Sequence, residues 1–170
     1  MRRPPLLLAL LSLVGLMGAT ACSDNRVATL GQRVVSLLKA DPAVASVGYG
    51  YESPAAIDAP YEPPYLAFFI HLKPGRQDIA DAKPLIRSAA EIVWQTPAKL
   101  KSLVMEFSPA VLSSAPEDQA PADLFQVVVP MSSTPAPKER AADAQESALR
   151  DFVHALQQEL QATYGPHKTS

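Results

Sequence analysis

The sequence predicts a two-layer α+β domain with its elements in the order α-β-β-α-β-β-α. Two observations carry this expectation. Stretches with apolar residues three and four positions apart, the period of a helix, are interleaved with shorter stretches of alternating or continuous apolar character, as in strands. Breaks at Asp41-Pro42, Pro74-Gly75, Thr96-Pro97 and Gly165-Pro166 separate them, where proline or glycine ends regular structure.

Ser23, Asp24 and Asn25 are each good N-caps for the first helix. Its apolar stripe is Val27, Leu30, Val34, Leu37 and Leu38, to about Lys39. From Val44 to Glu52 the pattern alternates, with Val47, Tyr49 and Tyr51 on one face and Ser46, Gly48, Gly50 and Glu52 on the other. That is a half-buried strand. A proline-rich connection fills 53–64. Tyr65 to Leu72 is apolar at nearly every position, which predicts a strand inside the sheet. A helix is expected from about Asp78 to Gln95 through Ile79, Ala82, Ile86, Ala89 and Val93, either kinked at Pro84 or starting there. Lys101 to Phe107 alternates again, with Leu103, Met105 and Phe107 inward and Ser102, Val104 and Glu106 outward. After a loop to about Asp123, Leu124 to Val129 reads as a fourth strand. The last helix spans about 138–164 on Leu149, Phe152, Val153, Leu156 and Leu160, ahead of the Gly165 stop.

This order resembles the ferredoxin-like class, which implies a four-stranded, mainly antiparallel sheet with helices on one face. The placement of the third helix stays open. The middle helix carries the chain back between the second and third strands, so those two should run parallel. The long loops 53–64 and 109–123 then fall at opposite ends of the sheet. A doubled αββ unit (26–74 and 76–130) is also suggested. Pro42, Ser46, Ser53-Pro54 and Pro74 recur 55 or 56 residues later as Pro97, Ser102, Ser108-Pro109 and Pro130. The outward sheet face would hold Gly48, Gly50, Ala67, Phe69, Ser102 and Val104. It is small and apolar enough to call for a cover, either the remaining helix or a second protein.

The leader is the sharpest signal in the chain. Arg2 and Arg3 precede twelve almost wholly apolar residues, Leu6 to Met17, and then Gly18-Ala19-Thr20-Ala21 ahead of Cys22. A membrane-spanning helix needs about 20 apolar residues, so this length suits a signal-peptide core. Ala19-Thr20-Ala21-Cys22 resembles the lipobox of bacterial lipoproteins, with Ala19 where that motif carries Leu. The resemblance implies a signal peptide over 1–21, lipid on Cys22 as the mature N-terminus, a short tether over 22–25, and a single domain over 26–170. Cys22 is the sole cysteine, so no disulfide explains it. Three residues of extended tether reach ~10 Å, which would hold the domain against the membrane.

Without the two leader arginines the chain has thirteen basic and seventeen acidic residues, a net charge of −4. This argues against nucleic acid as a partner and against anionic headgroups as a docking surface. His71, His154 and His167 show no metal-ligand spacing. The carboxylates Glu52, Asp58, Glu62, Glu117, Asp118 and Asp123 lack the glycine turn and close spacing of a calcium loop. No metal or cofactor is therefore expected, and no G-x-S-x-G motif is present. The most distinctive cluster is aromatic: Tyr49, Tyr51, Tyr61 and Tyr65, followed by Phe69, partly on a proline-restricted loop. These are the candidate partner-binding residues; the competing expectation is that the strand tyrosines pack in the core.

The functional expectation is an envelope lipoprotein held by Cys22 on the outer face of the cell membrane, or on the periplasmic face of an outer membrane. It would act without catalysis by binding a protein partner or a second copy of itself. The alternative is a small extracytoplasmic enzyme working through carboxylate and histidine chemistry, with Glu52, His71 and Glu106 as the groups to watch.

Overall fold

Residues 18–53, 61, 64–110, 124–132 and 144–168 are described by a computed structural model of the chain. Among them seven elements follow the expected order: α1 (Gly18–Lys39), β1 (Val44–Glu52), β2 (Tyr65–Leu72), α2 (Ile79–Gln95), β3 (Ser102–Pro109), β4 (Phe125–Pro130) and α3 (Ala144–Tyr164). The α+β class and the element order hold.

Local chemistry sets most boundaries. After α1 the Asp41 side chain accepts from the Ala43 amide at 2.8 Å, an Asx turn that redirects the chain into β1. Asp78 caps α2 by accepting from the Asp81 amide at 3.0 Å. Pro84 lies inside α2 rather than at its start. It removes a donor from the Ala80 carbonyl, at an exposed residue where water can replace it. Gly165 ends α3 with φ +75°, the left-handed turn that glycine adopts without strain, and its amide bonds to the Gln161 carbonyl at 2.9 Å.

α1 departs from expectation at both ends of its apolar stripe. It already includes Gly18, the first described residue, so Ser23, Asp24 and Asn25 lie within the helix and do not cap it. At about 1.5 Å rise per residue these three span ~4.5 Å, half the predicted tether. Leu37 is 39% exposed, because Leu38 takes the inward position beside it.

The sheet order is β1-β2-β3-β4. β1 pairs with β2 and β3 with β4 antiparallel, while β2 and β3 run parallel, so the sheet is mixed. Split βαβ units of ferredoxin-like domains place a strand between the parallel pair. Here β2 and β3 bond directly to each other, and the likeness is limited to the layer plan. All three helices pack on one face, α1 over β1, α2 in the middle and α3 against β4, which places the third helix. The buried Gln157 fastens α3 to the sheet by donating to the Pro130 carbonyl at 2.8 Å.

The sequential order also bears on the doubled unit. Seen from the helices, β1→β2 and β3→β4 step sideways in the same direction, yet the parallel central pair makes them run in opposite senses. The rotation that would superpose one hairpin on the other carries its helix to the wrong face. The 55-residue recurrences thus have no counterpart as a repeated three-dimensional unit.

The core lies between helices and sheet. Phe68, Leu66, Ile70, Leu103, Met105 and Phe107 from the central strands meet Val34, Leu38, Ile86 and Leu156 from the helices, all essentially inaccessible to solvent. Gly31 of α1 makes room for Tyr49: a Cβ at that position would stand 2.3 Å from the tyrosine ring. The Tyr49 hydroxyl donates to the Ala28 carbonyl at 3.2 Å, so this ring is clamped between α1 and β1.

Candidate functional site

Because side chains alternate along a strand, the residues facing away from the helices form four rows across the sheet. Reading from β1, they are Ser46–His71–Ser108, Gly48–Phe69–Glu106–Gln126, Gly50–Ala67–Val104–Val128, and Glu52–Tyr65–Ser102–Pro130. The outward residues predicted from sequence all lie here.

Phe69 is 43% exposed. Its ring lies beside both glycines of β1, with ring carbons 4.0 and 3.9 Å from where Cβ atoms of Gly48 and Gly50 would be. The missing side chains leave a ledge, and the aromatic ring occupies it. The centre of the face is closed instead. Tyr65, Ala67 and Val104 form a small buried cluster against which Tyr61 and Val128 pack. Tyr61 meets Tyr65 edge-on at 5.4 Å between centroids. Its hydroxyl donates to Gln126 Oε1, and Gln126 Nε2 donates to Glu106 Oε1 at 2.7 Å. Tyr61 thus straps the connection preceding β2 across the sheet to β4.

Charge on this face is acidic. The Tyr61 hydroxyl has its pKa raised by burial, then by the nearby Glu106 carboxylate and Tyr65, against a lowering by its bond to Gln126. Tyr65 is raised by burial, then by Glu52 and Glu106. Both rings stay neutral donors through the physiological range.

The predicted aromatic cluster therefore divides. Tyr61, Tyr65 and Phe69 come together on the open face, whereas Tyr49 and Tyr51 turn to the helix side and pack against the main core. The strand alternation that grouped Tyr49 and Tyr51 with Val47 already implied this. Glu52, His71 and Glu106 share the open face, and His71 Nδ1 lies 2.8 Å from Ser108 Oγ on the neighbouring strand. Ser108 and Gln126 escaped the sequence reading because the register joining them to His71 and Tyr61 is a tertiary property. Two strands of equal length, beginning just after Pro64 and Lys101, were the available signal.

His167, beyond the Gly165 stop, is buried. Its Nδ1 and Nε2 each lie 3.0 Å from a backbone carbonyl, those of Trp94 and Ala98, while Trp94 Nε1 donates to the Gly165 carbonyl at 2.9 Å. This is a clasp holding the segment after α3 to the end of α2. Among the described residues no group of three or more His, Cys, Asp or Glu is disposed to hold a metal ion. No helix among them is long and apolar enough to cross a membrane. Cys22 falls within α1. The leader up to residue 17 and the loop carboxylates Asp58, Glu62, Glu117, Asp118 and Asp123 lie outside the described residues. No protein family, curated protein or solved structure matches the chain.

Proposed function

We propose that this chain is an exported lipoprotein, anchored by acyl chains on Cys22, whose open sheet face binds a protein partner or a second copy of the chain. The observation that carries the reading is the arginine-led apolar leader ending in Ala19-Thr20-Ala21 before the sole cysteine. An unpaired thiol outside the cytoplasm is a liability that acylation removes. Two or three acyl chains supply stable anchoring at ~0.8 kcal/mol per buried methylene. The membrane would be the cell membrane or, in a cell with two membranes, the inner face of the outer one.

The open face supports the binding role. It offers one large exposed aromatic side chain, Phe69, on a glycine ledge, rimmed by Glu52, Glu106 and Gln126. An apolar anchor inside a polar rim is the usual anatomy of a binding patch. Replacing Phe69 with a photoreactive phenylalanine analogue should give one discrete adduct in intact envelopes. The same analogue at exposed Ala155 of α3 should give none. Equal, diffuse labelling from both positions would remove the open face as the binding surface.

A second reading, a small extracytoplasmic hydrolase, has one observation behind it. His71 is within hydrogen-bond distance of Ser108 Oγ, with Glu106 on the adjacent row. A histidine beside a serine hydroxyl is the minimum for an activated nucleophile. Labelling of Ser108 by a fluorophosphonate, lost in His71→Ala, would favour it. Ser108 remaining unlabelled in the folded protein would leave the pair as a cross-strand hydrogen bond.

A further inference from the structure

The overall acidity of the chain hides a polarised distribution. From Cys22 to its end at Lys39, α1 carries three cations, Arg26, Arg33 and Lys39, and one anion, Asp24, whereas the rest of the chain after residue 21 carries ten basic and sixteen acidic residues. All three cations are exposed, and among the described residues none of them makes an ion pair or a side-chain hydrogen bond. Arginines elsewhere are used differently: Arg76, in the turn before α2, pairs with Asp81, Arg87 of α2 with Glu159 of α3, and Arg150 with Glu146 within α3. α1 also bears Leu37, 39% exposed. Arg26, Arg33 and Leu37 are seven and four residues apart, a spacing that repeats one side of an α-helix. Cys22 stands one turn before Arg26 in the same unbroken helix.

We propose that the exposed side of α1 is a docking surface for an anionic phospholipid bilayer. It would lay the helix along the membrane with Arg26 and Arg33 at the headgroups and Leu37 at the interface. This rests on the lipid-anchor reading, which brings the surface to the bilayer. It revises the expectation drawn from net charge alone, because the relevant charge is that of the face presented. Two or three cations bind a membrane weakly by themselves, but a tether in the same helix makes the encounter intramolecular, so weak docking suffices. The geometry has a consequence for binding. α1 lies in the helix layer, so a docked domain presents the opposite side of the sheet, with Phe69, away from the membrane.

The test uses native acylated protein carrying Ser36→Cys with a thiol-linked fluorophore. It is placed on phosphatidylcholine vesicles with or without one-third phosphatidylglycerol, each containing the same fraction of headgroup-nitroxide lipid. Docking predicts stronger quenching on the anionic vesicles. The docked-to-undocked ratio should fall about tenfold or more in Arg26→Glu/Arg33→Glu, and should decline as salt is raised several-fold above physiological. If the double variant does not fold, the salt dependence of the unsubstituted arginines still decides. Flotation with both vesicle types but equal quenching on each would refute docking and leave the anchor intact. Failure to float with neutral vesicles would refute the anchor, and the docking proposal with it.

Discussion

On the helix side of the sheet, Phe68, Ile70, Leu103, Met105 and Phe107 are sealed from solvent. One residue along the same strands, the opposite side presents Phe69, His71, Glu106 and Ser108 over a floor of Gly48 and Gly50. The backbone hydrogen bonds are shared, so the contrast is carried by side chains alone. The helix side is filled by large apolar groups and serves stability. The open side has a small buried strip under Tyr61, and beyond it the exposed Phe69 ring stands on the glycine floor beside His71 and Glu106, so it can change without unfolding the domain. A strand with period two lets these purposes coexist.

The sharpest way to break this contrast is truncation. Phe68→Ala should cost about 3–5 kcal/mol in denaturant unfolding, since Phe68 is wholly buried among residues from both layers. Phe69→Ala, one position on, should cost less than about 1 kcal/mol while abolishing partner capture. Comparable losses at both positions would erase the distinction.

Next in size is Gly31→Ala. Helix propensity favours alanine by about 1 kcal/mol, but the new Cβ would overlap the clamped Tyr49 ring, a clash costing about 1–3 kcal/mol. The net effect should be destabilising in the natural chain and stabilising in a Tyr49→Ala background. A stabilising effect in both would show that the ring moves freely and is not clamped.

Smaller still, Tyr61→Phe removes the strap's bond to Gln126 at an exposed site where water can replace it. The expected loss is at most ~1 kcal/mol, with faster hydrogen exchange confined to residues around Tyr61 and Tyr65. The smallest effect is on pH dependence. Tyr61 and Tyr65 have pKa values raised above 10.0, chiefly by burial and then by the facing carboxylates. Their contribution to stability is therefore intact below pH 10 and is lost as pH rises through the raised values. Unfolding midpoints of the natural chain should fall faster above pH 10 than those of Tyr61→Phe/Tyr65→Phe. Parallel curves would contradict the assignment.

What could be read in the sequence was whatever local physics fixes. The alternation at 44–52 and 101–107 assigned the inward and outward residues, Gly165 marked the end of α3, and the return through α2 implied the parallel central pair. What could not be read depended on context. Ser23, Asp24 and Asn25 are N-caps only where the preceding chain is not helical, and here α1 already runs from Gly18. Tyr61 lies ten residues beyond Tyr51 and four before Tyr65, but nearness in sequence does not say which side of a sheet a loop residue crosses. His167 shows the same limit: its two carbonyl partners are about seventy residues away. The surface charge of α1 was hidden because an average over the chain cancels a local excess.

The central claim is the anchor at residue 22, and intact-mass analysis of the protein extracted from native membranes tests it most directly. The account predicts a chain beginning at Cys22 with the mass of attached acyl chains, and a Cys22→Ser variant that leaves the membrane fraction. A chain that begins elsewhere, or carries an unmodified thiol at Cys22, would contradict it.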